Sequence, residues 1–397
     1  MAVVKKMIAA TLVLAFMFGL SAVPVYADEL ELEAESAILI EAETGTVLFS
    51  KNADARLYPA SLTKIMTLLI AMEEMKQGKV DWDTRLTASQ KAWETGEGGL
   101  TSTMFLNIGQ EVTFEELLKG IAVVSANDAC VVVAEHLYGS EAAFVQKMNE
   151  RAEELGLENT HFMNSHGLHD PNHYMSAADV ARLSTYFLKT QPEAAAFLAI
   201  PEYTFNEIRQ FNNNPLLGNY PGVDGIKTGY TPEAGHCLSA SSLQGDMRLI
   251  AVVMGNSSNA TRRQDSEALL DYGFREFELL TLYEAGEVVT SLPVIRGEKR
   301  ELAVKVKEPV AVVVARGQSA ASFEEKITLP ESLAAPVEAG QSLGKLQLFN
   351  SDGDAVSEVE LLAAAPVERL GFFKALFRSI GDFFAGLWQR GREAISG

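Results

Sequence analysis

Hydrophobic and polar positions along the chain fall into blocks with three different periods. From 65 to 72 nearly every position is apolar, which is typical of a helix buried on all sides. From 302 to 307 the large apolar residues occupy every second position, the period of a strand with one face in a core. From 372 to 388 aromatic and aliphatic residues return at steps of three and four, which predicts an amphipathic helix. One chain therefore combines a buried helix, a β-rich part and an amphipathic end.

The first block mixes helix and strand signals. Thr113-Phe114-Glu115-Glu116 is a capping box, which predicts the start of a helix. Apolar stretches on both sides of Gly245-Asp246 predict an antiparallel hairpin, and 266–280 is expected to close the block as a helix. These signals predict an α+β domain over 28–283, in which helices pack with an antiparallel sheet.

From residue 284 onward the pattern is one of short strands. Short apolar stretches are separated by prolines and glycines, which predicts a small β-sandwich over 284–366. Catalytic residue types do not cluster in this part of the sequence. We therefore expect the chemistry to reside in the first domain.

Both ends of the chain carry membrane-related signals. Lys5 and Lys6 precede an apolar run to Leu20, and the triplet Val25-Tyr26-Ala27 has the small residues of a cleavage site. This pattern is typical of a secretory signal peptide over 1–27; an uncleaved anchor is the alternative. The predicted helix within 367–397 is aromatic on one side and mainly basic on the other, as in helices that lie in a membrane interface. Packing of this helix on the β-rich domain is the alternative. The protein is thus expected to be exported and peripheral on the outer face of the cytoplasmic membrane.

Charge and cysteine content narrow the range of partners. The formal net charge is −20, and loss of 1–27 with its two lysines would make it more negative still. So acidic a chain argues against nucleic acid as a partner, and anionic surfaces repel it. Cys130 and Cys237 lie in apolar segments, so buried free thiols are expected, although an exported protein also permits a disulfide.

Two loops could border a site. Glycines and hydroxyl residues between 95 and 103 indicate either a lid or a plain connection. The histidines between 166 and 173 could suggest a metal site together with Asp170, but Pro171 interrupts any helix there. We expect a structural loop at this position, and neither a metal nor a cofactor in the protein.

Three short motifs carry the candidate chemistry. Ser61-x-x-Lys64 opens the buried helix, where residues three apart share a face, whereas the same pattern at Ser342-x-x-Lys345 lies in a predicted strand. Ser125-x-Asn127 lies at a junction between predicted helices, and Lys227-Thr228-Gly229 precedes the predicted hairpin. Each motif alone is common, but the three in this order are specific for a serine acyl-transfer site.

The first two motifs suit a serine nucleophile and its proton transfers. Ser61 can attack a carbonyl once a base takes its proton, and a buried Lys64 with a lowered pKa can act as that base. Ser125 can relay a proton to the leaving amine. Asn127 can hydrogen-bond both Lys64 and a substrate amide.

The third motif suits recognition of an acidic substrate. Lys227 adds positive charge, which is expected to lower the pKa of Lys64 and to attract a substrate carboxylate. Thr228 can donate a hydrogen bond, and Gly229 lets a substrate approach the strand backbone. The backbone N–H groups of Ser61 and Tyr230 are expected to form an oxyanion hole.

With these motifs and the stretches 105–110, 167–168 and 223–229, the chain resembles the D-alanyl-D-alanine carboxypeptidases. These are low-molecular-mass penicillin-binding proteins, here of the type with a C-terminal β-domain and an amphipathic anchor. The resemblance covers the mature chain and is strongest before residue 280. It implies a DD-peptidase/β-lactamase-like fold, removal of the terminal D-alanine from peptidoglycan pentapeptide stems, and covalent binding of β-lactams.

The resemblance also implies roles for individual residues. Ser61 corresponds to the acyl nucleophile, Lys64 to the base, Ser125 to the serine of the second motif and Lys227 to a substrate-binding residue. Arg248 resembles an arginine that lies near the substrate carboxylate in some relatives. Other relatives have arginine where this chain has three consecutive asparagines at 212–214.

Two other functions remain as alternatives. A class A β-lactamase needs a glutamate that activates water for deacylation, and the nearest candidate, at 154–159, lacks the expected Leu-Asn ending. A non-catalytic penicillin-binding sensor would need a signalling membrane span, and the sequence shows none beyond the predicted signal peptide.

Overall fold

A buried helix and the sheet beside it organise the larger part of the molecule. The computed structural model describes residues 30–97, 101–319 and 322–371. Its helices are α1 (Lys64–Lys76), α2 (Gln90–Gly96), α3 (Phe114–Val123), α4 (Asn127–Tyr138), α5 (Glu141–Glu154), α6 (Ala177–Thr190), α7 (Pro192–Leu198) and α8 (Asn259–Glu276), with a 3₁₀ turn at Ala60–Thr63. Its strands are β1 (Ser36–Glu41), β2 (Val47–Lys51), β3 (Arg85–Thr87), β4 (Glu111–Thr113), β5 (Glu202–Phe205), β6 (Ile208–Phe211), β7 (Val223–Thr231), β8 (Gly235–Gln244), β9 (Met247–Asn256), β10 (Phe277–Tyr283), β11 (Val288–Ile295), β12 (Glu301–Val306), β13 (Val310–Ala315), β14 (Glu324–Thr328), β15 (Leu333–Ala334), β16 (Ser342–Phe349) and β17 (Ala355–Ala363).

One antiparallel sheet has the strand order β2-β1-β9-β8-β7. The predicted hairpin is present, because β8 and β9 pair as far as Gln244 and Met247. Strand β1 pairs with β9, so segments before and after the helices meet in one sheet. Strand β7, which carries Lys227, lies at the edge of this sheet, where its outer backbone groups can pair with a bound chain.

The sheet is buried on both faces, which explains why its strands read as nearly continuous apolar runs. In β9, Ile250 and Val252 face the helical layer that contains α1, whereas Leu249 and Ala251 face α8. Helix α1 is buried from Lys64 to Met72, as the unbroken apolar run predicts. The predicted α+β domain is confirmed, with the sheet between two helical layers.

The segment expected to close this domain as a helix over 266–280 differs from the prediction at both ends. Helix α8 starts earlier, because Ser258 and Thr261 form a capping box. It stops at Glu276, where Phe277 takes up an extended conformation and starts β10. Strand β10 then pairs with β13, so the apolar run at the end of the predicted helix serves a sheet instead.

The predicted C-terminal β-rich part is confirmed. A mixed sheet in the order β14-β16-β17-β12-β11-β15 packs against the β10–β13 pair. A separate core lies between them, built mainly from valine and leucine side chains such as Val304, Val312 and Leu346. Strand pairing and this core fix the domain without help from the catalytic motifs.

The predicted signal peptide and the amphipathic helix lie outside the described residues. Among the helices that the structure describes, none has the length and apolar character needed to cross a bilayer.

Candidate active site

Ser61 lies in the 3₁₀ turn that precedes α1, not in the first turn of the α-helix as the sequence suggested. In a 3₁₀ turn, residues i and i+3 lie directly above one another. Lys64, the first residue of α1, therefore stands under Ser61, and its Nζ donates to the Ser61 Oγ over 2.8 Å. The local geometry of the turn creates the contact that the motif requires.

Lys64 is completely buried, whereas Ser61 is partly exposed. Besides Ser61, the Lys64 Nζ contacts Asn127 Oδ1 at 2.7 Å and the His166 carbonyl oxygen at 2.6 Å. Burial lowers the pKa of Lys64 to about 8, although the nearby Asp128 carboxylate opposes this change. A lysine in this position can lose a proton near neutral pH and then accept the proton of Ser61.

Ser125 lies in the short junction between α3 and α4, with a φ of 61°. Its side chain is buried, and its Oγ has no hydrogen-bond partner among the described residues. Asn127 begins α4 two residues later, and its backbone N–H donates to the Ser102 carbonyl at 2.8 Å. A buried hydroxyl without a hydrogen-bond partner costs folding free energy, which is consistent with a group that hydrogen-bonds a substrate when one is bound.

Lys227 and Thr228 are both buried on β7. Burial, repulsion from Lys64 and repulsion from Arg262 lower the pKa of Lys227 to about 7. The repulsion between Lys64 and Lys227 is mutual, and it contributes to the lowered pKa of Lys227. The two lysines form a coupled pair in which a second positive charge is unfavourable.

Gly229 serves the contact between β7 and the 3₁₀ turn. A Cβ at this position would lie 2.8 Å from the Pro59 carbonyl oxygen and 3.2 Å from the Ser61 nitrogen. Packing of protein on protein thus requires the glycine, in addition to the substrate approach expected from the sequence. Tyr230 follows with 57% of its surface exposed, and its ring lies 4.4 Å from that of His236.

The structure does not bring Arg248 into this group. Arg248 pairs with Asp224 at 2.7 Å and donates to Ser241 Oγ at 2.5 Å. Lys227 is aligned with Ser239, and Ser239 with Val252, so Arg248 lies four residues farther along β9. That is about 13 Å along the sheet at roughly 3.3 Å per residue.

Arg262 on α8 is the cation that the sequence analysis missed. It is buried, it contacts Asn259, and it donates to the carbonyls of Cys237 and Asn213. Its Nε has no partner within the described residues, and burial lowers its pKa to about 10. Cys237 is aligned with Gly229, so Arg262 lies behind the third motif. The packing of α8 on the sheet brings it there, and no local sequence pattern marks it.

The histidine loop has a structural role at two positions. The His166 backbone holds Lys64, and His173 Nε2 lies 2.9 Å from Thr63 Oγ1 beneath the 3₁₀ turn. Both cysteines are buried and free, which confirms the expectation of free thiols. Glu154, the β-lactamase candidate, is exposed at the end of α5 and pairs with Arg151 at 2.8 Å.

Comparison with known proteins gives matches along most of the chain. Residues 23–258 match the family model described as D-alanyl-D-alanine carboxypeptidase, and residues 277–369 match the C-terminal domain of penicillin-binding protein 5. D-alanyl-D-alanine carboxypeptidase DacF of Bacillus subtilis (strain 168) is 40% identical over 359 residues, which cover 89% of this chain and 91% of the relative. DacC of Escherichia coli (strain K12) is 39% identical over 90% of this chain and 91% of its own length. The crystal structure of penicillin-binding protein 5 from Haemophilus influenzae superposes with a TM-score of 0.75 at 35% identity, covering 85% of this chain and 98% of that one.

Proposed function

The chain belongs to the D-alanyl-D-alanine carboxypeptidase family of serine peptidases, and we propose that Ser61 is its nucleophile. The substrate is the pentapeptide stem of peptidoglycan, from which the enzyme removes the terminal D-alanine. The observation that carries this proposal is the 2.8 Å contact between the Ser61 Oγ and a completely buried Lys64 Nζ. A serine becomes a nucleophile when such a base lies within hydrogen-bond distance.

The acylation step uses the residues of the first two motifs. Neutral Lys64 accepts the proton of Ser61 while the Oγ forms a bond to the carbonyl carbon between the two D-alanines. The N–H groups of Ser61 and Tyr230 stabilise the oxyanion. The C–N bond then breaks, the leaving amine takes a proton through Ser125, and the stem remains as an ester on Ser61. Water releases the shortened stem from this ester in the second step.

The carboxylate of the terminal D-alanine binds beside Lys227 and Thr228, with Arg262 behind them. This proposal replaces the expected role of Arg248, whose guanidinium is engaged by Asp224. A bound carboxylate favours the ammonium form of Lys227, and that ammonium disfavours a second positive charge on Lys64. Substrate binding thereby shifts the shared proton toward Lys227 and leaves Lys64 as the base.

The same site accounts for covalent binding of β-lactams. Attack by Ser61 opens the lactam ring, and the amine that would leave stays tethered to the acyl group. In a class A β-lactamase a glutamate activates the water that sustains β-lactam hydrolysis, whereas Glu154 is engaged at the surface here. The carboxypeptidase assignment is therefore preferred over a β-lactamase or a non-catalytic sensor.

We propose the location and the domain plan from the sequence pattern. Residues 1–27 form a leader that is removed. We place the catalytic domain at 28–276 and the β-rich domain at 277–371, instead of the expected 28–283 and 284–366, because β10 pairs with β13 and Val367 packs in the β-domain core. The basic and aromatic segment within 367–397 then holds the enzyme on the outer face of the cytoplasmic membrane.

Release of D-alanine from a synthetic pentapeptide stem tests the proposed function. The wild-type protein should release D-alanine over many turnovers. A chromogenic β-lactam should instead give a burst of ring opening limited to one equivalent per enzyme molecule. Sustained β-lactam hydrolysis without D-alanine release would assign the protein to the β-lactamases, and absence of both activities would favour a sensor.

A further inference from the structure

The base Lys64 depends on a segment that has no regular secondary structure. Residues 163–168 lie between α5 and α6, and two of their carbonyl groups accept hydrogen bonds from α1. The His166 carbonyl accepts from the Lys64 Nζ at 2.6 Å, and the Ser165 carbonyl accepts from Thr67 Oγ1 at 2.5 Å. The position of the base therefore depends on whatever fixes this segment from its other side.

That other side is fastened by the carboxylate of Glu141. Its Oε1 accepts from the Ser165 N–H at 3.0 Å and from the Ser165 Oγ at 2.7 Å. The same oxygen lies 3.4 Å from the His166 Nε2. Glu141 thus contacts the two residues whose carbonyl groups hold α1.

Glu141 is itself deeply buried, although an acidic residue at the start of a helix is ordinarily exposed. Its second oxygen, Oε2, pairs with Lys91 Nζ at 2.7 Å. Burial would raise the pKa of the Glu141 carboxyl, but His166, Lys91 and Ser165 together hold it below its ordinary value. The carboxylate is therefore ionised at neutral pH, with Lys91 as its counter-ion.

His166 completes the contact as a neutral ring. Burial lowers its pKa to about 4 in spite of the neighbouring carboxylate. Its Nδ1 accepts from the Leu168 N–H at 3.2 Å, so the proton resides on Nε2, which faces Glu141. A neutral histidine with this tautomer adds a donor toward the carboxylate without adding charge beside Lys64.

We propose that Glu141 is a positioning residue for the base: it fixes the 163–168 segment, and through its carbonyl groups the place of Lys64 beneath Ser61. Lys91 belongs to α2, so the same carboxylate also joins α2 to this segment. The proposal rests on the proposed function, because it concerns the base of that reaction. Glu141 touches neither substrate nor the reacting atoms.

The test measures acylation by a fluorescent penicillin as a function of pH. Glu141→Ala releases the segment, and a displacement of catalytic groups on the order of 1 Å can cost about 100-fold in rate. Lys64 then loses an acceptor that favours its ammonium form, so the acidic limb of the profile should also move to lower pH. Glu141→Gln keeps a carbonyl for Ser165 and should retain more of the rate than Glu141→Ala.

Two further variants separate positioning from general damage. Glu153→Ala removes an exposed carboxylate from the same helix and should acylate like the wild type. Ser165→Ala removes one of the hydrogen bonds to Glu141, the one from the Ser165 Oγ, and should lower the rate less than Glu141→Ala does. The double variant should be no slower than Glu141→Ala alone, because the Oγ has no carboxylate to contact there.

Several outcomes would overturn the proposal. If Glu141→Ala lowers the acylation rate but leaves the acidic limb of the pH profile unmoved, Glu141 has a purely structural role. The same conclusion follows if the rate falls only in proportion to the fraction of protein molecules that can still be labelled. Multiplying effects of the two single variants would show that Glu141 does not act through Ser165. A wild-type protein that is not acylated at all would overturn the proposed function and this inference with it, and that result is read from the wild-type sample alone.

Discussion

The chain contains the pattern Ser-x-x-Lys twice, and the two copies have different surroundings. At Ser61 the pattern spans a 3₁₀ turn, and the Lys64 Nζ lies 2.8 Å from the serine oxygen. At Ser342 it lies in the extended strand β16, which has an irregularity between Ser342 and Gly344, so no helical turn stacks the lysine under the serine. Lys345 instead pairs with Glu358 at 2.9 Å, with 42% of its side chain exposed. The sequence pattern is the same, but only burial and the 3₁₀ geometry convert it into a nucleophile with a base.

The largest expected effect comes from replacing the serine of the first copy, the proposed nucleophile Ser61. Ser61→Ala should lower D-alanine release by more than about 10⁴-fold, since removal of a serine nucleophile costs this much in related acyl-transfer chemistry. It should also abolish labelling by penicillin. Ser342→Ala is the matched control and should behave like the wild type in both assays. Labelling that persists in Ser61→Ala would mean that another residue is the nucleophile.

Replacement of the lysine in each copy of the pattern, Lys64 or Lys345, tests the role of Lys64 as the base. Lys64→Arg keeps a positive charge but cannot accept a proton near neutrality, so acylation should fall by about 10²- to 10⁴-fold. Lys345→Arg changes only an exposed ion pair and should leave acylation unaltered. Nearly normal acylation by Lys64→Arg would remove this residue from the role of base.

Gly229→Ala tests whether the packing of β7 on the 3₁₀ turn fixes the position of Ser61 relative to Lys64. The added methyl group would meet the Pro59 carbonyl oxygen, so the turn must shift. We expect acylation to fall by about 10- to 100-fold and stability by about 1–3 kcal/mol. Gly340→Ala, close to the second copy, meets no atom within 4 Å, but its φ of 76° makes it a control for strain without crowding. Equal effects of both variants on acylation would contradict a specific packing role for Gly229.

Arg262 and Arg248 test the binding of the carboxylate. Arg262→Gln should lower kcat/KM for the peptide by about 10-fold, because it removes a buried positive charge from behind the site where the carboxylate binds. Arg248→Gln breaks an ion pair that is partly exposed and should change kcat/KM by less than about threefold. The reverse order of the two effects would restore the original expectation for Arg248.

These two arginines illustrate what could be predicted from the sequence. The motif serines and lysines could be found because their spacing is local and their flanking segments carry clear helix and strand signals. Arg262 could not, because it reaches the site through the packing of α8 on β8, and that contact has no local signature. The end of α8 was missed for a similar reason, since the pairing of β10 with β13 overrides the apolar pattern of the helix.

The smallest catalytic effect is expected from removal of the segment after Gly371. Pro366, the end expected from the sequence, is too early, because Val367 lies in the core of the β-rich domain and pairs with Val337. A mature chain that ends at Gly371 keeps both copies of the pattern and should release D-alanine from small peptides at the wild-type rate. It should differ in partitioning, because aromatic side chains such as Phe377 and Phe384 each contribute roughly 1.5–3 kcal/mol when buried in a membrane interface. The full-length mature form should co-sediment with anionic liposomes. The truncated form and the double variant Phe377→Glu/Phe384→Glu should both stay in the supernatant. Equal partitioning of all three would indicate that this segment packs on the protein.

The pH dependence of kcat/KM for the pentapeptide tests the central claim most directly. Activity requires one proton on the pair formed by Lys64, with a pKa of about 8, and Lys227, with a pKa of about 7. At low pH both are ammonium and no base is present, whereas at high pH the positive charge for the carboxylate is lost. The account predicts a bell-shaped profile with limbs near these two values, unchanged in Lys345→Arg. A profile that is flat from pH 6 to 9, or one that shifts when Lys345 is replaced, would contradict it.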